Sequence, residues 1–258
     1  MRIVVLVKEV PDTYGDRALD LETGLVDRGA GEMVLDEISE RALEVALTYA
    51  DAHPGTEVIA LTMATQSAVA SIRKGLAMGA TSAVHIADES LRGADLGLTA
   101  EVLAAAIARA PFDLVITGNQ STDGVGGVLP AMIAERLGVP SLTALVCVEL
   151  TDASVRGDRR TDEGVSTVSA TLPALISVTE AMPDARFPNF KGIMAAKKKP
   201  LEDLTVSELG IDAESLAVPR SIMVTIAERP PRAAGTKITD EGDAGEQLAA
   251  YLVQNRLA

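Results

Sequence analysis

A glycine-rich segment between an apolar strand and a helix has the clearest capacity in this sequence to bind a ligand. It spans residues 118–130 and reads GNQSTDGVGGVLP. Glycines at positions 124, 126 and 127 let the backbone approach a phosphate, and the N–H groups that open a helix point at the anion. The segment lacks the Gly-Lys-Ser/Thr of a P-loop and, with leucine at position 129, the GxGxxG fingerprint. The spacing therefore indicates a nucleotide site of another type, with a plain strand-to-helix turn as the alternative.

No catalytic set of side chains accompanies this segment in the sequence. His53 precedes a proline in an expected loop and His85 lies in an expected strand, without a cysteine or second histidine at metal-ligand spacing. There is no GxSxG elbow, and Ser121 lacks a recognisable base. We expect the chain not to be an enzyme by itself, so that any chemistry comes from a cofactor. The single cysteine, Cys147, is expected to be a small buried hydrophobe.

A second unusual segment spans residues 185–200 and reads ARFPNFKGIMAAKKKP. An aromatic and proline-containing loop, with Phe190 expected to be exposed, precedes a short apolar turn and three lysines. A core segment would show a period of 2 or 3.6 instead. Taken alone, the segment is interpreted as a surface loop followed by a solvated helix end.

Short apolar strands alternate with amphipathic helices along most of the chain, a pattern that predicts parallel strands joined by right-handed crossovers. The strands are predicted at residues 3–7, 58–62, 83–86, 114–117 and 174–178. The helices are predicted near residues 36–50, 65–78, 96–108 and 127–137. We expect Asp36 to cap the first helix and Gly79 to end the second in a left-handed conformation.

The remaining stretches have other patterns. Residues 143–172 alternate too briefly for helices and predict antiparallel strands around a polar turn. A strand-like run at 221–228 is followed by two prolines, and 241–257 has the pattern of a helix. We expect a nucleotide-binding α/β domain over residues 1–219, including a loop at 183–199, and a C-terminal extension over 220–258.

The charge of the chain limits its partners. The 258 residues carry a formal net charge of -14, whereas binding to nucleic acid or an anionic membrane needs Lys and Arg to neutralise phosphates. We expect proteins and small ligands as partners. The N-terminal apolar run is interrupted by Lys8 and is too short for a signal sequence or a membrane span. A cytoplasmic location without membrane insertion is the expectation.

The segment at 185–200 closely resembles the signature of the beta subunit of electron-transfer flavoproteins, PR[FY]-x-x-[LF]-x-x-IM-x-AKKK. Three further blocks agree with that family in order and spacing: VLVKEVPDT at 5–13, IRKGLAMGA at 72–80 and GNQSTDGVGGVLPAMIAERLGVPSLT at 118–143. The resemblance runs almost end to end. It implies an α/β fold with a doubly wound, mostly parallel, Rossmann-like sheet, a small antiparallel addition, and a C-terminal arm that embraces an alpha subunit.

The resemblance also implies that the glycine-rich segment holds the phosphate of AMP. The implied nucleotide-binding residues are Leu6, Asp36, Met63, Gly118, Asn119, Gln120, Ser121, Thr122, Asp123, Gly124, Val125, Gly126, Gly127, Val128 and Leu129. Leu6 and Met63 would contact the adenine through their backbone or apolar atoms. Many family members carry polar side chains in the stretch 125–128, so backbone N–H groups would replace those side chains here. A bifurcating flavoprotein, with a second FAD in the AMP position, is the alternative.

The partners implied by the resemblance are an alpha subunit, which holds most of the redox FAD, acyl-CoA dehydrogenase-type donors, and a quinone oxidoreductase as acceptor. The implied docking residues are Arg186, Phe187, Phe190, Ile193 and Met194, with Phe190 where the family places an apolar anchor. The loop before Arg186 reads PDAR where relatives often read NEPR. An ATP-using enzyme of similar fold would need a lysine or a metal-binding carboxylate at the glycine-rich segment, and the sequence suggests neither.

Overall fold

The computed structural model describes residues 1–15, 17–212, 216, 218–232, 235 and 237–257. The chain divides into two compact units, Met1–Val224 and Thr225–Ala258. In the described residues of the smaller unit, the regular secondary structure is one helix, and none of its side chains is buried.

Strands of the larger unit form one large sheet and one two-stranded sheet. In chain order they are β1 Arg2–Leu6, β2 Glu9–Pro11, β3 Met33–Leu35, β4 Glu57–Met63, β5 Ser82–Ile86, β6 Leu114–Gly118, β7 Ser141–Leu150, β8 Ser154–Thr161, β9 Gly164–Thr171, β10 Ala174–Val178 and β11 Leu201–Leu204. The order in the large sheet is β11-β5-β4-β1-β6-β10-β7-β8-β9. Neighbours are parallel from β11 to β7, while β7, β8 and β9 pair antiparallel.

Helices cover both faces of the parallel part of the sheet. The helices of the larger unit are α1 Glu37–Ala52, α2 Val69–Met78, α3 Leu96–Ala108, α4 Leu129–Leu137 and α5 Phe190–Ala196. The smaller unit, taken by itself, contains α6 Ala244–Gln254. Because side chains alternate along a strand, Ile3 and Val5 of β1 join the core under α1 and α2. Val4 and Leu6 join the core under α3 and α4. This arrangement confirms the doubly wound α/β fold with an antiparallel addition.

The carboxyl edge of the sheet brings the predicted nucleotide residues together. The chain adds β4 and β5 on one side of β1, then crosses to place β6 on the other. Ligands of open α/β sheets bind at the carboxyl edge, at such a change of direction. Leu6, Met63 and Gly118 are the last residues of β1, β4 and β6, and α1 begins at the same edge. The topology therefore sets the position of the candidate site.

Several predicted elements have the expected bounds to within a few residues, and Asp36 caps α1 by accepting a hydrogen bond from the Ile38 N–H. Gly79 ends α2 with a φ of 149°. Helix α4 begins at Leu129, two residues later than expected, since Gly127 has a φ of 68° that a right-handed helix does not accept. The C-terminal helix is three residues shorter at each end than the 241–257 pattern suggested.

Two expectations about apolar residues were wrong. Cys147 is exposed, because a bulge between Leu145 and Cys147 shifts the alternation of β7 and turns the thiol away from the core. Residues 221–228 form no strand, since no neighbouring strand pairs with them. Instead the Ser221 N–H donates to Asp95 Oδ2 at 2.7 Å, and Val224 is exposed.

Candidate functional site

The glycine-rich segment forms a tight turn between β6 and α4. The Val125 N–H donates to the Ser121 carbonyl at 2.9 Å, and the Gly124 N–H donates to Ser121 Oγ at 3.3 Å. Val125 and Gly127 have positive φ values of 49° and 68°. A β-branched residue with positive φ is a strained feature of the kind that persists at functional sites.

Beyond this turn the backbone offers free donors. In the described part of the chain, the N–H groups of Gly126, Gly127 and Val128 donate no hydrogen bond, and α4 has no side-chain cap. A Cβ built on Gly126 would meet nothing closer than Leu96 at 3.9 Å. Unsatisfied N–H groups at a helix start bind anions. The segment can therefore accept a phosphate without moving other parts of the chain.

Asp36 connects this segment to the start of α1. Its carboxylate is fully buried. Oδ1 accepts from the Ile38 N–H at 3.0 Å, while Oδ2 accepts from the Thr122 N–H at 2.7 Å and from the Thr122 hydroxyl at 2.8 Å. Both oxygens are thus occupied within the chain. Asp36 positions the turn.

Three cations surround the same turn, and sequence analysis missed all three. Its expectation that no lysine lies at the glycine-rich segment was therefore wrong. Lys8 Nζ lies 2.7 Å from Asp123 Oδ1 and 3.0 Å from Ser121 Oγ. Arg28 Nη2 lies 3.6 Å from Asp123 Oδ2. Arg17 Nη2 donates to Thr122 Oγ1 at 2.9 Å. Lys8 could have been found, since it follows the first strand by two residues and so had to lie at the carboxyl edge. The two arginines are brought in by a long loop.

The Asp123 carboxylate is held in its charged form by this cluster. Its side chain is only 2% exposed. Burial raises the pKa of Asp123, but the hydrogen bonds from Lys8 and Ser121 and the nearby positive charges outweigh burial and hold the pKa below its ordinary value. Three cationic side chains thus contact the turn, and two buried carboxylates, Asp36 and Asp123, partly compensate their charge.

A buried polar atom beside the turn lacks a partner. Asn119 Oδ1 is buried and accepts no hydrogen bond from the described residues, while the Asn119 backbone N–H donates to the Val178 carbonyl at 2.8 Å. An unsatisfied buried polar group costs about 1–3 kcal/mol. Such an atom is readily explained if a ligand supplies the missing donor.

The two histidines lie apart from this turn, as the sequence indicated. His85 is fully buried in β5, with Nδ1 3.0 Å from Asp203 Oδ1 and Nε2 3.2 Å from the Ala64 carbonyl. His53 stacks on Tyr49. In the described ranges no group of three or more His, Cys, Asp or Glu side chains is arranged to hold a metal ion.

The segment at 185–200, which we call the docking segment, presents large apolar side chains to solvent. Phe187 is 92% exposed and Phe190 is 79% exposed, and Ile193 and Met194 are each about half exposed. Helix α5 carries three of the four, and Asn189 caps it by accepting from the Gly192 N–H at 2.8 Å. A group of large apolar side chains exposed together is typical of surfaces that bind other molecules.

Arg186 differs from its neighbours, because its guanidinium is already paired within the chain. It donates to Glu44 through Nε at 2.8 Å and Nη2 at 2.8 Å, and Nη1 lies 2.8 Å from Asp51 Oδ2. Burial raises the pKa of Glu44, but the hydrogen bonds and charge of Arg186 outweigh burial and lower it. Arg186 therefore ties the start of the docking segment to α1.

No helix in the described residues combines the length and the apolar character that crossing a membrane requires.

Comparison with known proteins identifies the family. Residues 23–209 match the model of the electron transfer flavoprotein domain. The chain is 47% identical to the electron transfer flavoprotein subunit beta of Mycobacterium bovis, over 99% of this chain and 98% of the relative. It is 31% identical to the Bacillus subtilis protein of the same name, over 96% and 94%. It is also 32% identical to the caffeyl-CoA reductase-Etf complex subunit CarD of Acetobacterium woodii, over 98% and 97%. These matches confirm the resemblance seen in the sequence: the chain belongs to the electron transfer flavoprotein family, among its beta subunits.

Proposed function

We propose that this chain is the beta subunit of a heterodimeric electron-transfer flavoprotein that accepts electrons from acyl-CoA dehydrogenase-type flavoenzymes and passes them to a quinone oxidoreductase. The observation that carries the proposal is the docking segment. Four large apolar side chains stand exposed on a short, firmly attached segment. One desolvated aromatic side chain can dominate a small, transient interface. That suits a carrier that must bind and release its partners rapidly.

The redox chemistry in this proposal is that of FAD, which the alpha subunit holds for the most part and which takes up and releases electrons. This chain contributes the rigid α/β unit on which the alpha subunit rests and the segment that meets the donor.

The same proposal includes a structural AMP at the glycine-rich segment. The free N–H groups of Gly126, Gly127 and Val128 suit its phosphate. The unpartnered Asn119 Oδ1 suits a hydroxyl or amino donor of the nucleoside. Leu6 and Met63, at the ends of adjacent strands, suit the flat apolar faces of adenine. The residues present therefore fit the nucleotide.

Bound nucleotide provides the direct test. The chain is co-expressed with its alpha subunit, the heterodimer is purified, and the extracted nucleotides are counted. We expect one FAD and one AMP per heterodimer. Two FADs and no AMP would favour the bifurcating alternative, and a single FAD with no second nucleotide would contradict the AMP assignment.

Replacing Gly126 with valine tests whether the nucleotide binds at the glycine-rich segment. The position leaves room for a Cβ in the chain itself, so the added side chain obstructs a ligand and not the fold. We expect Gly126→Val to lose most of its AMP and to weaken assembly. Gly31→Val is the matched control, because a Cβ there meets nothing within 4 Å and so is equally free of close contacts within the chain, and it should retain its AMP.

A further inference from the structure

The last lysine of the docking segment is bound differently from the two before it. Lys199 Nζ donates to the Leu76 carbonyl at 2.9 Å and to the Ala80 carbonyl at 2.6 Å. Burial lowers the pKa of Lys199, in keeping with an ammonium group drawn out of water onto backbone oxygens. Lys197 and Lys198 are exposed.

The Leu76 carbonyl lies in the last turn of α2, and the Ala80 carbonyl lies two residues beyond the end of that helix. The last carbonyls of a helix have no partner within the helix and carry partial negative charge, so a nearby cation stabilises them. Helix α2 has no basic residue in its own last turn. Lys199 supplies that cation from the docking segment.

A cation on α2 also contacts backbone carbonyls of the docking segment. Arg73, on α2, donates through Nη1 to the Ala196 carbonyl at 2.7 Å and to the Lys199 carbonyl at 3.0 Å. These carbonyls lie at the end of α5 and just beyond it, and α5 likewise has no basic residue in its last turn. Thus a cation from the docking segment contacts the end of α2, and a cation from α2 contacts the end of α5.

Between these contacts the two helices touch through their backbones. A Cβ built on Gly192 would lie 2.3 Å from the Ala77 carbonyl oxygen, a distance that no side chain tolerates. At the other end of the segment, Arg186 is paired with Glu44 and Asp51 on α1. The docking segment is held at both ends, and only the exposed apolar side chains between them are free.

We propose that Arg73 and Lys199 form a reciprocal capping latch that holds the docking segment in one conformation before the dehydrogenase arrives. The inference rests on the docking role proposed above and assigns these two cations a positioning part in it. A segment ordered beforehand loses less conformational entropy on binding, and each immobilised side chain saves an amount that corresponds to roughly twofold to tenfold in affinity.

If the latch exists, substitution of Lys199 should have different effects from substitution of Lys197 or Lys198. In the purified heterodimer, Lys199→Met and Arg73→Met should speed amide hydrogen exchange across residues 187–197, and Gly192→Ala should do the same by wedging α5 away from α2. Lys197→Met and Lys198→Met remove the same charge from exposed positions, so their exchange in this segment should match that of the wild type. FAD content should remain as in the wild type for all five variants. Melting temperature should remain as in the wild type for Lys197→Met and Lys198→Met, whereas the other three variants, which lose contacts or force a shift, should unfold at a lower temperature but still form the heterodimer.

The functional readout is electron transfer from an acyl-CoA dehydrogenase of the source organism. For Lys199→Met we expect KM for the heterodimer to rise roughly tenfold while kcat changes little, because the bound complex can still order the segment. A general loss of structure would instead lower the content of active heterodimer without shifting KM. Lys199→Arg should recover most of the wild-type KM, since a guanidinium can reach the same carbonyls.

Three outcomes distinguish the latch from the proposed function. Wild-type exchange in both Lys199→Met and Arg73→Met overturns the latch. Faster exchange with unchanged KM also overturns it, provided that Phe190→Ala still raises KM. If Phe190→Ala leaves KM unchanged, the docking role itself is wrong.

Discussion

Arg186 and Phe190 lie four residues apart in one segment, yet their environments are opposite. The guanidinium of Arg186 makes hydrogen bonds and ion pairs with α1, while the ring of Phe190 is largely exposed to water. An aromatic side chain left in water by an otherwise well-packed protein has no role in folding. We propose that the contribution of Phe190 comes from binding another molecule, so the two residues should give distinct experimental signatures.

Truncation of Phe190 tests that contribution. We expect Phe190→Ala to weaken association with an acyl-CoA dehydrogenase by about 2 kcal/mol or more, as loss of an interface anchor does. Electron transfer should slow at limiting concentrations of the heterodimer. The melting temperature should remain unchanged, because a core phenylalanine would cost about 3–5 kcal/mol and this ring is not in the core.

Tyr14→Ala is the control for Phe190→Ala. Tyr14 is 99% exposed and lies far from the docking segment in sequence, so its removal deletes a similar exposed ring. It should leave the rate with the dehydrogenase unchanged. An equal loss of rate in both variants would mean that exposed aromatic area in general, and not Phe190 in particular, sets the association.

Asp123 makes a pH-dependent contribution to stability. Its pKa is lowered in the folded protein, so its contribution is present above the unfolded value of about 4 and is lost as pH falls through the folded value. We expect Asp123→Asn to cost about 1–3 kcal/mol near pH 7. The cost of breaking a fully buried pair would be larger, but Lys8 and Arg28 are each more than a third exposed.

The measurement for Asp123 is chemical unfolding of both proteins between pH 7 and pH 3. The difference in unfolding free energy should shrink as pH falls below about 4 toward the lowered pKa of Asp123, because the stabilisation by the charged carboxylate is lost over that range. Asp162→Asn, in the exposed turn between β8 and β9, is the control and should show little difference at any pH. A difference that stays constant with pH would show that the charge of Asp123 does not matter.

At the scale of elements, local sequence was a good guide wherever a strand or helix buries a regular face. Helix α3 and strand β10 have the predicted bounds. Each combines a continuous apolar pattern with a clear start or stop signal. Strand β11 was not anticipated, because its sequence, LEDL, is half charged and it owes its form to parallel pairing with β5 at the sheet edge.

The run at 221–228 is a case in which local sequence predicted a strand that does not form. Its residues favour a strand by type, but a strand needs a neighbour, and here the N–H groups of Arg220 and Ser221 bond to Asp95 instead. Asp95 also accepts from the Leu98 N–H as the cap of α3. The same carboxylate thus caps the start of α3 and accepts hydrogen bonds from backbone N–H groups at the start of the 221–228 run. Such hydrogen bonding depends on residues more than 100 positions apart and cannot be predicted from local sequence.

At the scale of the whole molecule, the smaller unit has the character of an assembly element. Its helix α6 buries none of its residues, and Leu248 and Tyr251 are about half exposed. Residues 233, 234, 236 and 258 of the expected C-terminal arm lie outside the described residues. We propose that this unit binds the alpha subunit, as the resemblance implies for a C-terminal arm.

Deletion of residues 225–258 tests this proposal. We expect the truncated chain to retain the circular dichroism of the α/β unit, because the core residues lie before residue 225. Heterodimer formation at micromolar concentration should be lost. Leu248→Ser combined with Tyr251→Ser should weaken assembly, while the polar control Gln247→Ser should not. Full copurification of the truncated chain with the alpha subunit would contradict the arm assignment.

The sequence by itself determined the fold class and the family, and it singled out the glycine-rich segment and the docking segment as candidates for binding. Apolar periodicity is a local property, and the glycine-rich and docking segments carry their identity in consecutive residues. Only the tertiary structure decided what individual side chains in those segments do. It brought Arg17 and Arg28 to the glycine-rich turn, and it separated Lys199 from the lysines beside it. The physical reason is that charged side chains find their partners across the fold, at distances in sequence that no local pattern records.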